Sequence, residues 1–577
     1  MALPVKLSTL SIALCCLSCQ PNLTQISSSD ALPIPPFSDL TDHRISLGGE
    51  KTIACSSGTI EETISSIQKL EAGASRGSHH IHLEELSSRL FQQVAASKDP
   101  DAVIMTLLAT TACHHPLSRM MSYELIRSEN PIIQLSAVQA LSSLNTAEAD
   151  DILTEALRSD YPAIRLEAAW KIACKRSPQA FAQIDALSYK LPDPFRSCLP
   201  ELFAVEGSIN SVHRMRQLLN DPDEGVIIEA LVAVGRHHIT GIGDLMTAME
   251  SHSPAVLEAL AFGLRSVDSD QARAKLRLLA NHPIPCVRLQ AALSLIFFGE
   301  SYIATIQDLA AKGDLFAVAA LGECRDPILF TNFTDSSRAF QTNLALSLLT
   351  QKDPGCTNSL KELLALPDDQ TLYSSASIGH SLWYWDIAPI ESFDEGAWPM
   401  LKEQALVAKE ALLIHSLDLN EDAFTEIAKT VFEEGRVDLF PCLIQLLENQ
   451  RSDAVVDLLK QESLRIGAPY NRAFATLCLV RLGIEQDEKS LQTILNFARE
   501  QDEQSWRPPL PWFVFTHGDE KQSSQQAAAS AELYIGTIDA LSMLGTDEAI
   551  DTLSAELSKA PKKFLPFVVA SLLHATL

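Results

Sequence analysis

Aromatic side chains are scarce in this chain: Phe, Trp and Tyr together make up 6% of its 577 residues. With few rings, plentiful Ala and aliphatic residues, and a mean hydropathy of +0.07, the composition suits a soluble protein built from many thin interfaces between helices. No internal stretch approaches the roughly 20 consecutive apolar residues of a membrane span. Positive charge is also short, with 45 Lys+Arg against 73 Asp+Glu and a formal net charge of −28. Such a surface repels phosphate backbones, and no basic stripe or aromatic-interleaved basic patch overcomes that locally. Nucleic acid is therefore not an expected partner, and a bare anionic membrane surface is disfavoured for the same reason.

Paired cysteines are missing too. Of the twelve, Cys15, Cys16 and Cys19 lie at the N-terminus, and Cys55, Cys113, Cys174, Cys198, Cys286, Cys324, Cys356, Cys442 and Cys478 are scattered singly, with none at the CxxC spacing of a zinc or redox site. Several sit in apolar helical runs, such as Cys174 in KIAC and Cys478 in ATLCLV, where a thiol packs as a small hydrophobe. There is no HExxH, no GxSxG, no P-loop and no dinucleotide-binding glycine fingerprint. Histidines cluster at His79-His80-x-His82, His114-His115 and His237-His238. Adjacent histidines on a helix diverge by about 100°, which suits solvated or capping roles better than chelation by one segment. No catalytic residue, metal ligand or cofactor site is nominated.

What is present begins with residues 1–19. Lys6 precedes a short apolar run, Leu7 to Leu17, followed by small residues at Ser18 and Cys19. This is the plan of a secretory signal, with an apolar run too short to span a bilayer permanently. Cys16-Leu17-Ser18-Cys19 resembles a bacterial lipobox, which implies lipidation of Cys19, although Cys16 stands where Leu is usual. Residues 20–50, with Ser27-Ser28-Ser29 and Pro33-Ile34-Pro35-Pro36, have no helical period and the composition of a disordered tether. The expectation is an exported protein of a cell envelope, periplasmic or membrane-anchored; the alternative is a cytosolic protein with a disordered start.

From about residue 85 the chain repeats. Asn130-Pro131, Tyr161-Pro162, Asp221-Pro222, Ser253-Pro254 and His282-Pro283 each precede an apolar helical run, and with Pro192 the landmark prolines at 131, 162, 192, 222, 254 and 283 step by 31, 30, 30, 32 and 29. Proline disfavours helix for the residue before it and supplies a helix-compatible φ itself, so each landmark ends one helix and starts the next. The following helix carries apolar residues at i, i+3, i+4 and i+7, as in Ile227, Ala230, Leu231 and Val234, or Leu257, Leu260, Ala261 and Leu264. The intervening helix shows similar spacing in Ile242, Leu245, Met246 and Met249. Neither helix buries its apolar face alone, whereas stacking pair upon pair does, and the predicted fold is an all-α solenoid of antiparallel helix pairs.

The pattern D/N/S-P-x-[VI]-R-x-x-A-[AV]-x-x-L resembles the HEAT repeat, and a period near 30 is similar to the short bacterial variety found in phycobilin-lyase-type HEAT proteins. The likeness covers about residues 125 to 325 and continues more weakly through RAFQTNLALSLL at 338–349, PYNRAFATLCLVRLG from Pro469, and a last pair from Ala531. It divides the chain into a solenoid over 51–350 and a more degenerate one over 351–577. Arg165, Arg288 and Arg472 each stand three residues after a proline. In HEAT proteins a charged residue there commonly bonds to the adjacent repeat, which implies a structural ladder.

Two stretches break the period: about 367–398, with His380, Trp383, Tyr384, Trp385, Phe393 and Trp398, and about 505–526, which places Trp506, Trp512, Phe513 and Phe515 around Pro508, Pro509 and Pro511. Rings on a proline-stiffened loop are candidate anchors for a partner, or fold back over the solenoid's groove. The function expected is a non-enzymatic scaffold binding another protein. A lyase-like or small-molecule chaperone and a cytosolic adaptor are the alternatives.

Overall fold

The computed structural model describes residues 59–72, 80–324, 338–365, 400–401, 404–484, 488–500, 513–514 and 521–576, apart from positions 98, 145, 192 and 251–252. The signal-like segment with Cys19, the tether over 20–50, the aromatics of 367–398, and Trp506, Trp512 and Phe515 lie outside the described residues.

Among the described residues the chain is all-α, with 28 α-helices, a few short 3-10 turns and one antiparallel pair of two-residue strands. The helices start where the local chemistry says they should. Pro131, Pro162 and Pro254 are first residues of their helices; at the Pro283 landmark the helix instead begins at Pro285, the second proline of the turn. Small polar side chains accept from otherwise unpaired N–H groups at other starts: Asp223 from Gly225 at 2.9 Å, Ser269 from Ala272 at 3.1 Å, Asn420 from Ala423 at 2.9 Å. At their ends the chain turns into the left-handed region, through Gly207 at φ 72° and through His238 at φ 50°.

The helices form two rows. Those following the landmark prolines, Pro131–Ser143, Pro162–Lys175, Leu199–Glu206 (after the 3-10 segment Asp193–Cys198), Glu224–His237, Pro254–Leu264 and Pro285–Phe297, pack one upon the next as a continuous inner row. The helices between them, such as Ala180–Ser188, Ile209–Leu218, Gly243–Ala248 and Asp270–Leu279, flank that row and touch each other far less. Close stacking on one side and splaying on the other is what curves a solenoid, with the inner row concave. The C-terminal helices repeat the arrangement: Phe440–Asn449, Pro469–Arg481, Lys521–Leu544 and Leu565–Thr576 stack in sequence. Lys521–Leu544 starts well before Ala531, absorbing the end of the second period-breaking stretch.

Polar rungs tie successive repeats. Lys175 Nζ meets Asp150 at 2.5 Å and the Leu144 carbonyl at 2.9 Å, Arg214 meets Asp185 at 3.1 Å, Arg216 meets Asp244 at 2.7 Å, and Arg277 meets Glu300 at 2.7 Å. On the inner row Gln139 donates to Glu167 at 3.1 Å and Ser294 to the Ala261 carbonyl at 2.8 Å. The position expected between the two solenoids, 350/351, falls between the helices Arg338–Thr350 and Thr357–Ala365, which pack on each other. Thr357–Ala365 is in turn tied forward by Lys361 to Glu426 at 3.2 Å and by Arg436 Nη1 to the Leu364 carbonyl at 2.5 Å.

The two ends of the solenoid meet. Leu565–Thr576 packs against His80–Ala95 and Pro100–Ala112, and Ile60–Ala72 packs against Asp547–Glu556. Ile67, Leu90 and Phe91 share one buried cluster with Leu553, Phe564, Val568 and Leu572. Each fully buried side chain of this size contributes about 1.5–3 kcal/mol, so the seam is held chiefly by apolar burial. Gln68 Nε2 adds hydrogen bonds to the Ser554 carbonyl at 3.1 Å and Ser558 Oγ at 3.3 Å, and Lys563 lies 4.0 Å from Asp101.

Candidate functional site

The only strand pairing among the described residues links the segment after the first period-breaking stretch to the inside of the second: Met400 faces Val514 and Leu401 faces Phe513 in antiparallel register. Phe513, inside the second stretch, is thus paired with the segment just past the end of the first.

The ladder expected at Arg165, Arg288 and Arg472 has three different settings. Arg165 Nη1 donates to the Lys190 carbonyl at 3.1 Å, close to where the next repeat begins. Arg288 Nη1 donates to the carbonyls of His282 at 2.9 Å and Pro283 at 2.8 Å, at the head of its own helix. Arg472 is exposed and makes no inter-repeat bond among the described residues. Most charged rungs instead come from other positions, especially on the outer row, such as Arg214, Arg216 and Arg277, because short outer helices bring these long side chains opposite a neighbouring repeat's acids.

Histidine and cysteine differ from expectation in detail. His115 has a capping role: its Nδ1 accepts from the Leu117 N–H at 3.2 Å at the head of Leu117–Leu125, while its Nε2 bonds Ser88 Oγ at 2.8 Å and its ring lies 5.3 Å from that of Phe91. His237 joins a buried carboxylate, described below, while His238 caps its helix as expected. Cys198, Cys324, Cys356 and Cys478 are buried, but Cys174 is exposed, since the buried stripe of its helix ends with Ile172 and Ala173 and the next residue turns outward.

The most concentrated chemistry lies on the inner row, where four repeats converge. Glu201 on Leu199–Glu206 is buried, with Arg236 Nη1 at 3.0 Å and His237 Nε2 at 2.8 Å from one of its oxygens. Burial opposes ionisation of Glu201, yet the His237 hydrogen bond and the charges of His237 and Arg236 outweigh it and hold the carboxyl below its ordinary value. Glu229, two turns before Arg236 on Glu224–His237, has the opposite balance: burial, with the Glu201 charge adding and Arg236 opposing, pushes it up to about 8. On the next inner helix burial raises Glu258, and the hydrogen bond it shares with Cys286 only partly offsets this. Arg265, at the end of that helix, is lowered by burial and by the Arg236 charge, with Glu323 opposing. Its guanidinium lies 3.8 Å over the ring of Phe262.

Backbones approach closely there. A Cβ at Gly235 would come within 2.7 Å of the Phe262 ring, and one at Gly263 within 2.7 Å of the Leu231 carbonyl. Two glycines thus set Glu224–His237 hard against Pro254–Leu264 and crowd the charges above them. His238 and Phe297, from the helices on either side, stack at 6.5 Å and 20° across the end of the helix that carries Arg265. Phe297 is 63% exposed, an open ring at the margin of the charged cluster.

A second charged network sits near the C-terminus. Arg481 lies 2.8 Å from Glu448 and 3.5 Å from Asp539, while Glu556, fully buried, accepts from Tyr534 at 3.0 Å with Arg499 3.6 Å away. Burial, with Asp539 adding and Arg481 opposing, pushes Glu448 up to about 7. Neither network follows from the sequence alone, because its members are spread over several helices that only stacking brings together. The one weak signal was the charged residue recurring near the end of inner helices, at Arg236, Arg265 and Arg481.

No family model and no curated protein matches the chain. Among solved structures it is similar to a crystal structure of an engineered protein from the Northeast Structural Genomics Consortium, at 13% identity over 83% of this chain and 99% of that one, with a TM-score of 0.17.

Proposed function

We propose that this protein is a non-enzymatic interaction scaffold whose concave inner row binds another protein, and that it works at a bacterial cell envelope as a short-period HEAT-like solenoid. The observation that carries the reading is the convergence of Glu201, Glu229, Arg236 and Arg265 on stacked inner helices, beside the open ring of Phe297. Long stacks spread such side chains over a continuous curved surface, the form of binding face repeat proteins use. The envelope location rests on residues 1–19 and the lipobox-like Cys19, and the non-enzymatic part on the lack of nucleophile, metal and phosphate-loop motifs in the sequence.

Chemical cross-linking in native cells, followed by peptide mass spectrometry, tests the binding face. Partner peptides are expected on inner-row residues such as Lys171; cross-links confined to the outer helices would sink the proposal. Fractionation with mass analysis of the N-terminus tests the location, where an unprocessed Met1 in the cytosol removes the envelope claim.

A further inference from the structure

Arg236 and Arg265 hold more hydrogen-bond donors than the protein uses. Among the described residues none of the nitrogens of Arg265 has a hydrogen-bond or ion-pair partner, and of the three only Nε is enclosed. Its Nη pair is therefore open while the Phe262 ring fixes the plane of the guanidinium from behind. Arg236 spends Nη1 on Glu201 at 3.0 Å, but its Nε and Nη2 are enclosed and unpartnered. Nε and Nη2 form the side-on edge of a guanidinium, whose two parallel N–H bonds match the oxygens of a carboxylate. Enclosed donors left unmade are unfavourable, so the Arg236 side chain, 11% exposed, gains by turning that edge toward an acceptor.

We propose that Arg236 and Arg265 together bind a carboxylate entering from the concave side, with the stacked rings of His238 and Phe297 covering the body that bears it. The neighbours choose among oxyanions. Glu201 stands against Arg236 and Glu323 faces Arg265, so a dianionic phosphate meets repulsion that a singly charged planar carboxylate meets only in part. The overall charge of −28 also disfavours long-range attraction of anions, which makes recognition depend on the fork contacts themselves. The assignment rests on the inner row being the binding side, and holds for a free organic acid or for a carboxylate on a peptide.

Equilibrium titration of the full chain with benzoate, succinate, a hexaglutamate peptide and inorganic phosphate tests it. Saturable binding of at least one carboxylate is expected, weakened by about tenfold or more in Arg265→Gln and in Arg236→Gln, and unchanged in Arg288→Gln. Benzoate binding alone identifies a small-acid site, and peptide binding alone a peptide carboxylate. If Arg265→Gln does not fold, Arg265→Lys, which keeps the charge and loses the fork, takes its place with the same expected loss. Absence of saturable binding by every carboxylate, tighter binding of phosphate, or affinity that survives both arginine variants overturns the assignment. A protein partner cross-linked to the inner row without carboxylate binding removes this site and leaves the scaffold standing; carboxylate binding with a partner only on the outer row does the reverse.

Discussion

Gly235 lies directly against Phe262 of the next inner helix: a Cβ there would come within 2.7 Å of the ring and 2.9 Å of the Phe262 carbonyl. The neighbouring backbone carbonyl cannot yield as a side-chain tip does, so the two helices must separate to admit a methyl group. Gly235→Ala is expected to destabilise by about 1–3 kcal/mol, the usual range for overpacking, and to disturb Arg265 through Phe262. Thermal unfolding checks the first effect, and a Tm equal to that of the parent would show that the helices are not in this contact.

Carboxyl burial makes stability depend on pH. Glu229 is raised from 4.5 to about 8 in the folded protein and Glu448 from 4.5 to about 7. Between the unfolded and folded values the native state holds more protons, so these two groups lower stability as pH rises from about 4.5 to 8, with a slope of up to about 1.4 kcal/mol per pH unit for each. Glu229→Gln is expected to raise Tm relative to the parent at pH 8 and to leave it nearly unchanged at pH 4.5. Equal differences at both pH values would show that Glu229 titrates normally.

Closure of the solenoid couples its two ends. Leu572 is fully buried in the cluster that includes Leu90 and Phe91. Leu572→Ala is expected to cost about 2–5 kcal/mol. Hydrogen exchange should quicken in His80–Ala95 and Pro100–Ala112, far away in sequence. Faster exchange limited to the C-terminal helices would mean that the ends do not share a core.

Thiol reactivity separates exposed from buried cysteines. Cys174 is exposed, whereas Cys478 is buried and burial holds its thiol well above the ordinary value. Short treatment of the native protein with a maleimide, read by peptide mass spectrometry, should modify Cys174 well before Cys198, Cys324, Cys356 and Cys478. Comparable labelling of Cys478 would contradict the packing of Pro469–Arg481.

How much was legible beforehand follows the range of the interactions involved. Pro131, Pro162 and Pro254 act through their own φ and the residue before them, so the helix starts they announce were readable. Cys174 was misjudged because a one-residue step at a helix end decides which way a side chain faces, and KIAC carries no mark of that step. Of the arginines marked by their spacing from proline, Arg165 reaches the Lys190 carbonyl near the next repeat whereas Arg288 bonds carbonyls at the head of its own helix, since a long side chain bonds whatever the curvature places opposite it.

By itself the sequence determined a stack of helix pairs, because proline punctuation and 3.6-residue apolar spacing are local properties and stacking is the simplest way to cover faces that no single pair can bury. Only the tertiary structure decided which repeats lie side by side across the seam, and which charges meet above Gly235 and Gly263. Those outcomes depend on curvature, a small rotation added at every repeat, and no residue encodes that sum.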